Sequence, residues 1–255
     1  MQTPENTNPR ELLQQATLVQ RATSIGNADV YRARVQNQTA LVKTYIDRPA
    51  FIRALFGRRA LANEFTILGK LDGVPGIPKP LARIGKDTIV VEFIHDSEPL
   101  VASRALKPDQ YPPPAFFTQL RALVQTLHKT GISHGDIRRM NVLRTPENRP
   151  VLIDFATAVS LQGRLKWLRK ILFRMFRKAD DFAVAKILYT YYPDLLSPRE
   201  RNRLENPPWY LRIGRFMRKR VYRKLIKQRR WKKRLSKAKT AINSIGKNHS
   251  EEVSP

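Results

Sequence analysis

Apolar positions recur with two different periods along this chain. From Asp29 to Tyr45 they alternate. Val30, Arg32 and Ala33 lead through Val35 to a turn at Gln36-Asn37-Gln38, and the pattern resumes from Ala40 to Tyr45. Period two about a polar turn predicts a β-hairpin. From Pro49 to Leu71 the spacing lengthens to that of a helix, with Phe51, Leu55, Leu61, Phe65 and Leu68 in step and a break expected at Gly57. Asp72-Gly73 and Pro75-Gly76 mark turns. Leu81 to Ile84 and Thr88 to Ile94 predict two more strands around Gly85. An irregular stretch ends at Pro112 to Pro114. Ala115 to Thr130 then predicts a helix with Phe116, Leu120, Leu123, Val124 and Leu127 inward. Val142-Leu143 and Val151 to Phe155 predict short strands, and Phe182 to Tyr192 a buried helix. Residues 1–20 read as a polar leader, helical from Pro9 to Gln20. A β-rich first half thus precedes a helical second half. The fold class is α+β, with lobes over residues 21–95 and 96–205 and a tail over 206–255.

Composition narrows the chemistry. Among the 255 residues there is no cysteine, which removes disulfides and thiolate metal sites and suggests a reducing compartment. The first residues lack the basic start and apolar run of a secretory signal. No stretch approaches the ~18–20 apolar residues of a membrane-spanning helix. The expected location is cytoplasmic, peripheral on the inner membrane. Net charge is +27, and its placement is uneven. Arg164 to Lys178 holds seven Lys/Arg and no acid, and Arg212 to Lys239 holds fifteen and no acid. The remainder is close to neutral, so the basicity belongs to two local segments on an ordinary globular body.

The chemistry gathers in His134-Gly135-Asp136-Ile137-Arg138-Arg139-Met140-Asn141, followed by Val151-Leu152-Ile153-Asp154-Phe155-Ala156. Singly, each polar residue has an ordinary reading. Lys43 suits a solvated strand face, Glu64 a helix surface, and Asp136 and Asn141 suit turns. Jointly they resemble the catalytic loop H-x-D-x-x-x-x-N and the D-F-G metal loop of protein kinases. Phosphoryl transfer depends on positioning and charge neutralisation. The resemblance implies that Asp136 receives the hydroxyl proton, that Asn141 and Asp154 hold Mg²⁺ through hard oxygens, and that Arg138 neutralises the transferring phosphoryl group. His134 reads as structural. Upstream, Lys43 takes the place of the strand lysine on the α/β-phosphates of ATP, and Glu64 that of its helix partner. The backbone of Glu92 and Ile94 takes the place of the adenine-binding hinge. Ser24 to Tyr31 stands where the glycine-rich loop belongs, with only Gly26 retained.

The resemblance spans residues 24–200 and implies a two-lobed protein-kinase-like fold using ATP and Mg²⁺. Three departures refine it. His-Gly-Asp lacks the arginine that receives a phosphorylated activation loop. No Ala-Pro-Glu follows. Phe155-Ala156 replaces Phe-Gly. The whole looks most like lipopolysaccharide core kinases acting on Kdo or heptose, with RIO-like atypical protein kinases next.

The basic segments have three readings. In Arg164 to Lys178, Leu165, Leu168, Ile171, Leu172, Met175 and Phe176 share one helical face. That face either packs into a core or, with Trp and Phe beside Lys and Arg, meets an anionic membrane. RNA is the rival partner. The functional readings are therefore a kinase of a glycolipid sugar at the cytoplasmic membrane face, an atypical Ser/Thr protein kinase, and a pseudokinase scaffold on membrane or RNA.

Overall fold

The structure, a computed structural model, describes residues 8–22, 27–163 and 165–207. The chain divides into two compact units, Met1–Leu204 and Glu205–Pro255. The expected basic tail over 206–255 lies almost wholly outside the described residues.

The leader is more structured than its polarity suggests. Helix α1 (Pro9–Gln14) opens on an Asn8 side chain that accepts from the Arg10 N–H. The helix does not run on to Gln20 as expected; strand β1 (Thr17–Gln20) replaces its second half and pairs with β2 (Asp29–Val35). Strand β2 pairs with β3 (Gln38–Thr44) through the two-residue turn Gln36-Asn37, closed by the pair Val35 and Gln38. Both turn residues have positive φ, 48° and 62°, the backbone that hairpins with right-handed twist require.

Between β3 and the next strands the chain is helical: α2 (Ala50–Ile52), a π turn over Arg53–Gly57, then α3 (Arg58–Lys70). Gly57 therefore does not break the helix. It ends a wide turn within it, and a β-carbon there would come within 2.7 Å of the Tyr45 ring. Glycine lets the helix lie against the end of β3. Strands β4 (Pro80–Ile84) and β5 (Thr88–Glu92) complete an antiparallel sheet of order β1-β2-β3-β5-β4.

Alternation gives this sheet two apolar faces. Ala33, Val35, Ala40, Val42, Ala82, Ile84 and Val90 form one cluster, covered by Leu12, Leu13 and Ala16 of the leader. Tyr45, Ile89 and Val91 belong to the other cluster, which continues through Leu61 and Leu68 into the second lobe. Lys43 lies on this second face.

The second lobe begins with the two-residue strand β6 (Glu98–Pro99) and is organised around α4 (Pro114–Lys129), whose Phe116, Phe117, Leu120, Leu123, Val124 and Leu127 are all buried. Short strands follow: β7 (Ile132–Ser133), β8 (Val142–Arg144), β9 (Pro150–Leu152) and β10 (Val159–Ser160). They form the ladders β10-β7 and β6-β8-β9. Strand β9 stops at Leu152, three residues short of the expectation, because Asp154 turns the backbone to φ 70°. Then α5 (Lys166–Tyr191) runs for 26 residues and unites the basic segment and the buried helix in one element. Helix α6 (Pro198–Glu205) starts at Ser197 and Glu200, whose side chains and backbone N–H groups cap one another. No helix among the described residues is long and apolar enough to cross a membrane.

Candidate active site

Sheet register and helix position bring Lys43 and Glu64 together. Lys43 lies near the end of β3, the central strand of the sheet, flanked by Val30 of β2 and Ile89 of β5. Glu64 is on the inward face of α3 with Leu61, Ile67 and Leu68. The Lys43 Nζ lies 2.5 Å from Glu64 Oε1, with both side chains largely buried. Burial alone would pull the Lys43 pKa down, but the charges of Glu64 and Asp154 outweigh it, and the net displacement is upward. The lysine stays charged, and the Asp154 carboxylate is within its electrostatic reach. Burial chiefly, with the charges of Asp154 and Glu64, also pushes the neighbouring Tyr45 hydroxyl up to about 12.

The loop from His134 to Asn141 is built on backbone. Asp180, buried on the inner face of α5, accepts from the His134 and Gly135 N–H groups, each at 2.8 Å, and faces His128 Nε2 at 3.2 Å. Two charge-assisted bonds to successive amides fix the loop's entry. The His134 ring donates from Nε2 to the Ile153 carbonyl at 3.1 Å and accepts at Nδ1 from the Asp136 N–H at 3.3 Å. Its neutral tautomer follows from those two partners, and the ring ties Asp136 to Ile153, the residue before Asp154. Gly135 has φ 79°, and a β-carbon there would meet the Thr157 carbonyl at 3.1 Å and the Phe176 ring at 3.4 Å. A side chain at that position would be strained by the positive φ and crowded by both neighbours, which gives the His-Gly-Asp sequence a steric cause.

Asp136 and Asn141 are in direct contact. The Asn141 Nδ2 donates to the Asp136 carbonyl at 2.9 Å and reaches its Oδ2 at 3.4 Å. With that nitrogen engaged, the Asn141 carbonyl oxygen is the atom left to meet a metal. Arg138 is half exposed and pairs with Asp136 Oδ2 at 3.1 Å. Its guanidinium therefore sits on the acid's carboxylate.

The metal loop is gripped from the first lobe. The Asn63 Nδ2, one residue before Glu64, donates to the Ala158 carbonyl at 2.8 Å and the Ala156 carbonyl at 3.1 Å, with the Phe155 carbonyl at 3.5 Å. Asp154 is the residue of this loop with positive φ, and Ala156 is not. The alanine that replaces the expected glycine therefore costs no backbone strain.

At the edge of β5 the Glu92 N–H is bonded to the Lys79 carbonyl and its carboxylate to the Lys79 N–H, each at 2.9 Å. Glu92 can offer adenine only its carbonyl. The Ile94 carbonyl accepts from the Ser97 hydroxyl, which leaves the Ile94 N–H as the complementary donor. Gly26 lies outside the described residues.

Asn141 and Asp154 present hard oxygen donors suited to Mg²⁺, which characteristically uses one or two carboxylates together with phosphate oxygens. No group of three or more His, Asp or Glu able to hold a metal alone exists among the described residues. The cavities of about 310 Å³ beside Leu100 and Tyr191 and about 230 Å³ beside Val124 and Phe182 contain none of these residues.

Sequence reasoning did not find Asp180 or Asn63. An acid in step with the buried Phe173 and Val184 of α5 is the signal that marks Asp180. Nothing in the local pattern marks Asn63.

No curated protein matches the chain. The RIO domain matches residues 29–178, a span that includes Lys43, Glu64, Asp136, Asn141 and Asp154. A match over more than half of the sequence, carrying the whole cluster on a small antiparallel sheet and a helical second lobe, makes this chain a member of the RIO domain family, within the protein-kinase-like superfamily.

Proposed function

We propose that the chain is an ATP- and Mg²⁺-dependent phosphotransferase that moves the γ-phosphate to a hydroxyl of a glycolipid sugar, of the lipopolysaccharide-core type, at the cytoplasmic face of a membrane. The observation that carries the phosphotransferase reading is the pairing of Lys43 with Glu64, together with the Asp136–Asn141 contact, on a chain of the RIO domain family. Family membership supports a kinase-type, ATP-binding phosphotransferase in general terms.

Each residue then has a task. Lys43, kept charged by Glu64 and Asp154, holds the α/β-phosphates. The Glu92 carbonyl and Ile94 N–H orient the adenine, and Gly26 is the glycine assigned to the phosphates. Asn141 and Asp154 would hold Mg²⁺, whose charge neutralises the phosphates. Asp136 orients the acceptor hydroxyl and takes its proton. Arg138, 3.1 Å from that carboxylate, holds it in place until the acceptor arrives and then turns to the phosphoryl oxygens.

The sugar acceptor is supported by the His-Gly-Asp loop, by the missing Ala-Pro-Glu and by a basic amphipathic helix immediately after the metal loop. A second reading, an atypical Ser/Thr protein kinase, is favoured by the RIO domain match and by Arg138, which stands where such kinases carry a lysine. Transfer from γ-labelled ATP, run against membrane glycolipid extract and protein extract in parallel, separates them. Label in glycolipid supports the first reading and label in protein the second. Nucleotide binding with no label in either extract would leave a scaffold, with membrane or RNA as its target.

A further inference from the structure

Helix α5 buries one face, and its first half also carries an apolar row on the opposite side. Phe173, Asp180 and Val184 point inward. Trp167, Ile171 and Met175 follow one another at intervals of four, so they form a single ridge, and they are 66%, 46% and 36% exposed. Leu168 adjoins them. This corrects the core-packing alternative for Arg164 to Lys178: of the six apolar residues expected on one face, Leu165, Leu168, Ile171 and Met175 are exposed. Immediately beside the ridge runs a second one, Lys170, Arg174 and Lys178, also at intervals of four. None of these three bases has an ion-pair partner among the described residues.

We propose that these parallel ridges form a lipid-contact surface, in which Trp167, Ile171 and Met175 enter the acyl boundary of an anionic bilayer while Lys170, Arg174 and Lys178 meet its headgroup phosphates. The placement rests on the membrane-borne acceptor proposed above and gives that acceptor a docking face just past Asp154. Charge complementarity selects the occupant. A second copy carries the same net charge of +27, and the segment from Arg212 to Lys239 contains no acid. Both would be repelled by the basic ridge. RNA satisfies the bases but leaves a tryptophan and two aliphatic side chains in water. An anionic bilayer satisfies both rows, since apolar burial and headgroup attraction add along an interfacial helix.

The test uses the tryptophans. The chain has three, at 167, 209 and 231. Trp209→Phe with Trp231→Phe in the full chain leaves Trp167 as the sole reporter. Its emission is expected to shift to the blue, and to be quenched by lipid-borne bromine, on phosphatidylcholine vesicles that contain phosphatidylglycerol. Pure phosphatidylcholine should leave it unchanged, and rising salt should reverse the shift. Ile171→Gln with Met175→Gln changes only exposed positions and should weaken partitioning roughly tenfold or more, the scale of withdrawing two apolar side chains from lipid. Sedimentation with anionic vesicles while Trp167 stays in water would assign binding to another segment and overturn the proposal. A Trp167 shift produced by RNA or by raised protein concentration alone, without vesicles, would overturn it equally. ATP binding, followed in parallel, is expected to be unaffected by either double variant. Its loss in the wild-type chain would defeat the phosphotransfer reading and leave the lipid result standing.

Discussion

Lys43 and Glu64 are positioned by the strand and the helix that carry them, whereas Asp136 and Asn141 lie on a loop held by a carboxylate from a helix 45 residues further on. In the first half of the site, sheet register and helix periodicity suffice: once the hairpin closes at Gln36-Asn37, Lys43 must face α3. In the second half one short 3-10 turn (Arg139–Asn141) places Asn141, and no sheet register or long helix places Asp136. Asp180 and His134 do so by satisfying backbone amides and a carbonyl that would otherwise be buried and unpaired. One half is legible from local pattern and the other depends on long-range polar capture.

The largest expected effect tests the second half at its metal end. Asp154→Ala should abolish Mg-ATP turnover, because no other carboxylate of the loop is placed to replace it. Asp136→Asn should lower transfer by roughly 10²–10⁴, the scale of a positioned acid–base group, while nucleotide still binds. A titration with a fluorescent ATP analogue separates the two outcomes. Loss of nucleotide binding in Asp136→Asn would make Asp136 a structural residue.

The first half breaks differently. Lys43→Ala should weaken ATP binding strongly and also destabilise the fold, because Glu64 is left buried without its partner, a defect of about 3–5 kcal/mol. Adding Glu64→Leu to a Lys43→Met variant should restore thermal stability without restoring turnover, since an apolar pair replaces a buried ion pair at little cost. The pH dependence follows from the upward displacement of the Lys43 pKa from 10.5. A base whose folded pKa is raised contributes its full stabilisation below its unfolded value and loses it as pH rises through the folded one. ATP binding should therefore show no Lys43 titration in the neutral range. A loss of affinity between neutral pH and about pH 9, well below that ordinary lysine value, would contradict the pairing.

Asp180→Asn is expected to have an intermediate effect, with turnover falling about ten- to a hundredfold, as misplacement of a reacting group by small distances can do. The variant keeps the shape but presents an amide group to one of two N–H donors. His128→Gln, which touches the same carboxylate from the other side, should do less. Equal losses in both would mean that the histidine, and not the loop amides, is the partner that matters.

How far the sequence disclosed this arrangement follows from the same contrast. The hairpin, α3, α4 and the order of Lys43, Glu64, Asp136, Asn141 and Asp154 were all legible, because alternation and helical spacing report burial directly. The leader's strand was not, because β1 lies at the sheet edge with all four residues exposed and no alternation to show it. The π turn before α3 reads as a break because a glycine in a helix signals one; its steric cause, the Tyr45 ring, comes from another element. The long helix α5 reads as two segments because its first half turns apolar residues outward. Asp180 and Asn63 escaped because their partners are backbone groups, which no side-chain pattern reveals.

Asn63 links the two halves, and its replacement should have the smallest effect of the series. The Asn63 amide reaches carbonyls at 155, 156 and 158 from the helix that also carries Glu64. The position of the metal loop is thereby tied to that of α3. Asn63→Ala removes one donor group and leaves carbonyls near a half-buried surface, where water can replace it. The stability cost should be about 1 kcal/mol, a fall in Tm of about 2–4 °C for a domain of this size. Binding of ATP without metal depends on Lys43 and should stay near wild type. The Mg²⁺ concentration needed for half-maximal turnover should rise severalfold, because Asp154 is then less firmly placed. Asn63→Asp, which keeps the shape but cannot donate, should match the alanine variant or exceed it through repulsion from the same carbonyls. If both variants change ATP affinity and leave the Mg²⁺ dependence intact, Asn63 acts on the Lys43 half, and the two halves are one cooperative unit instead of two joined by an amide.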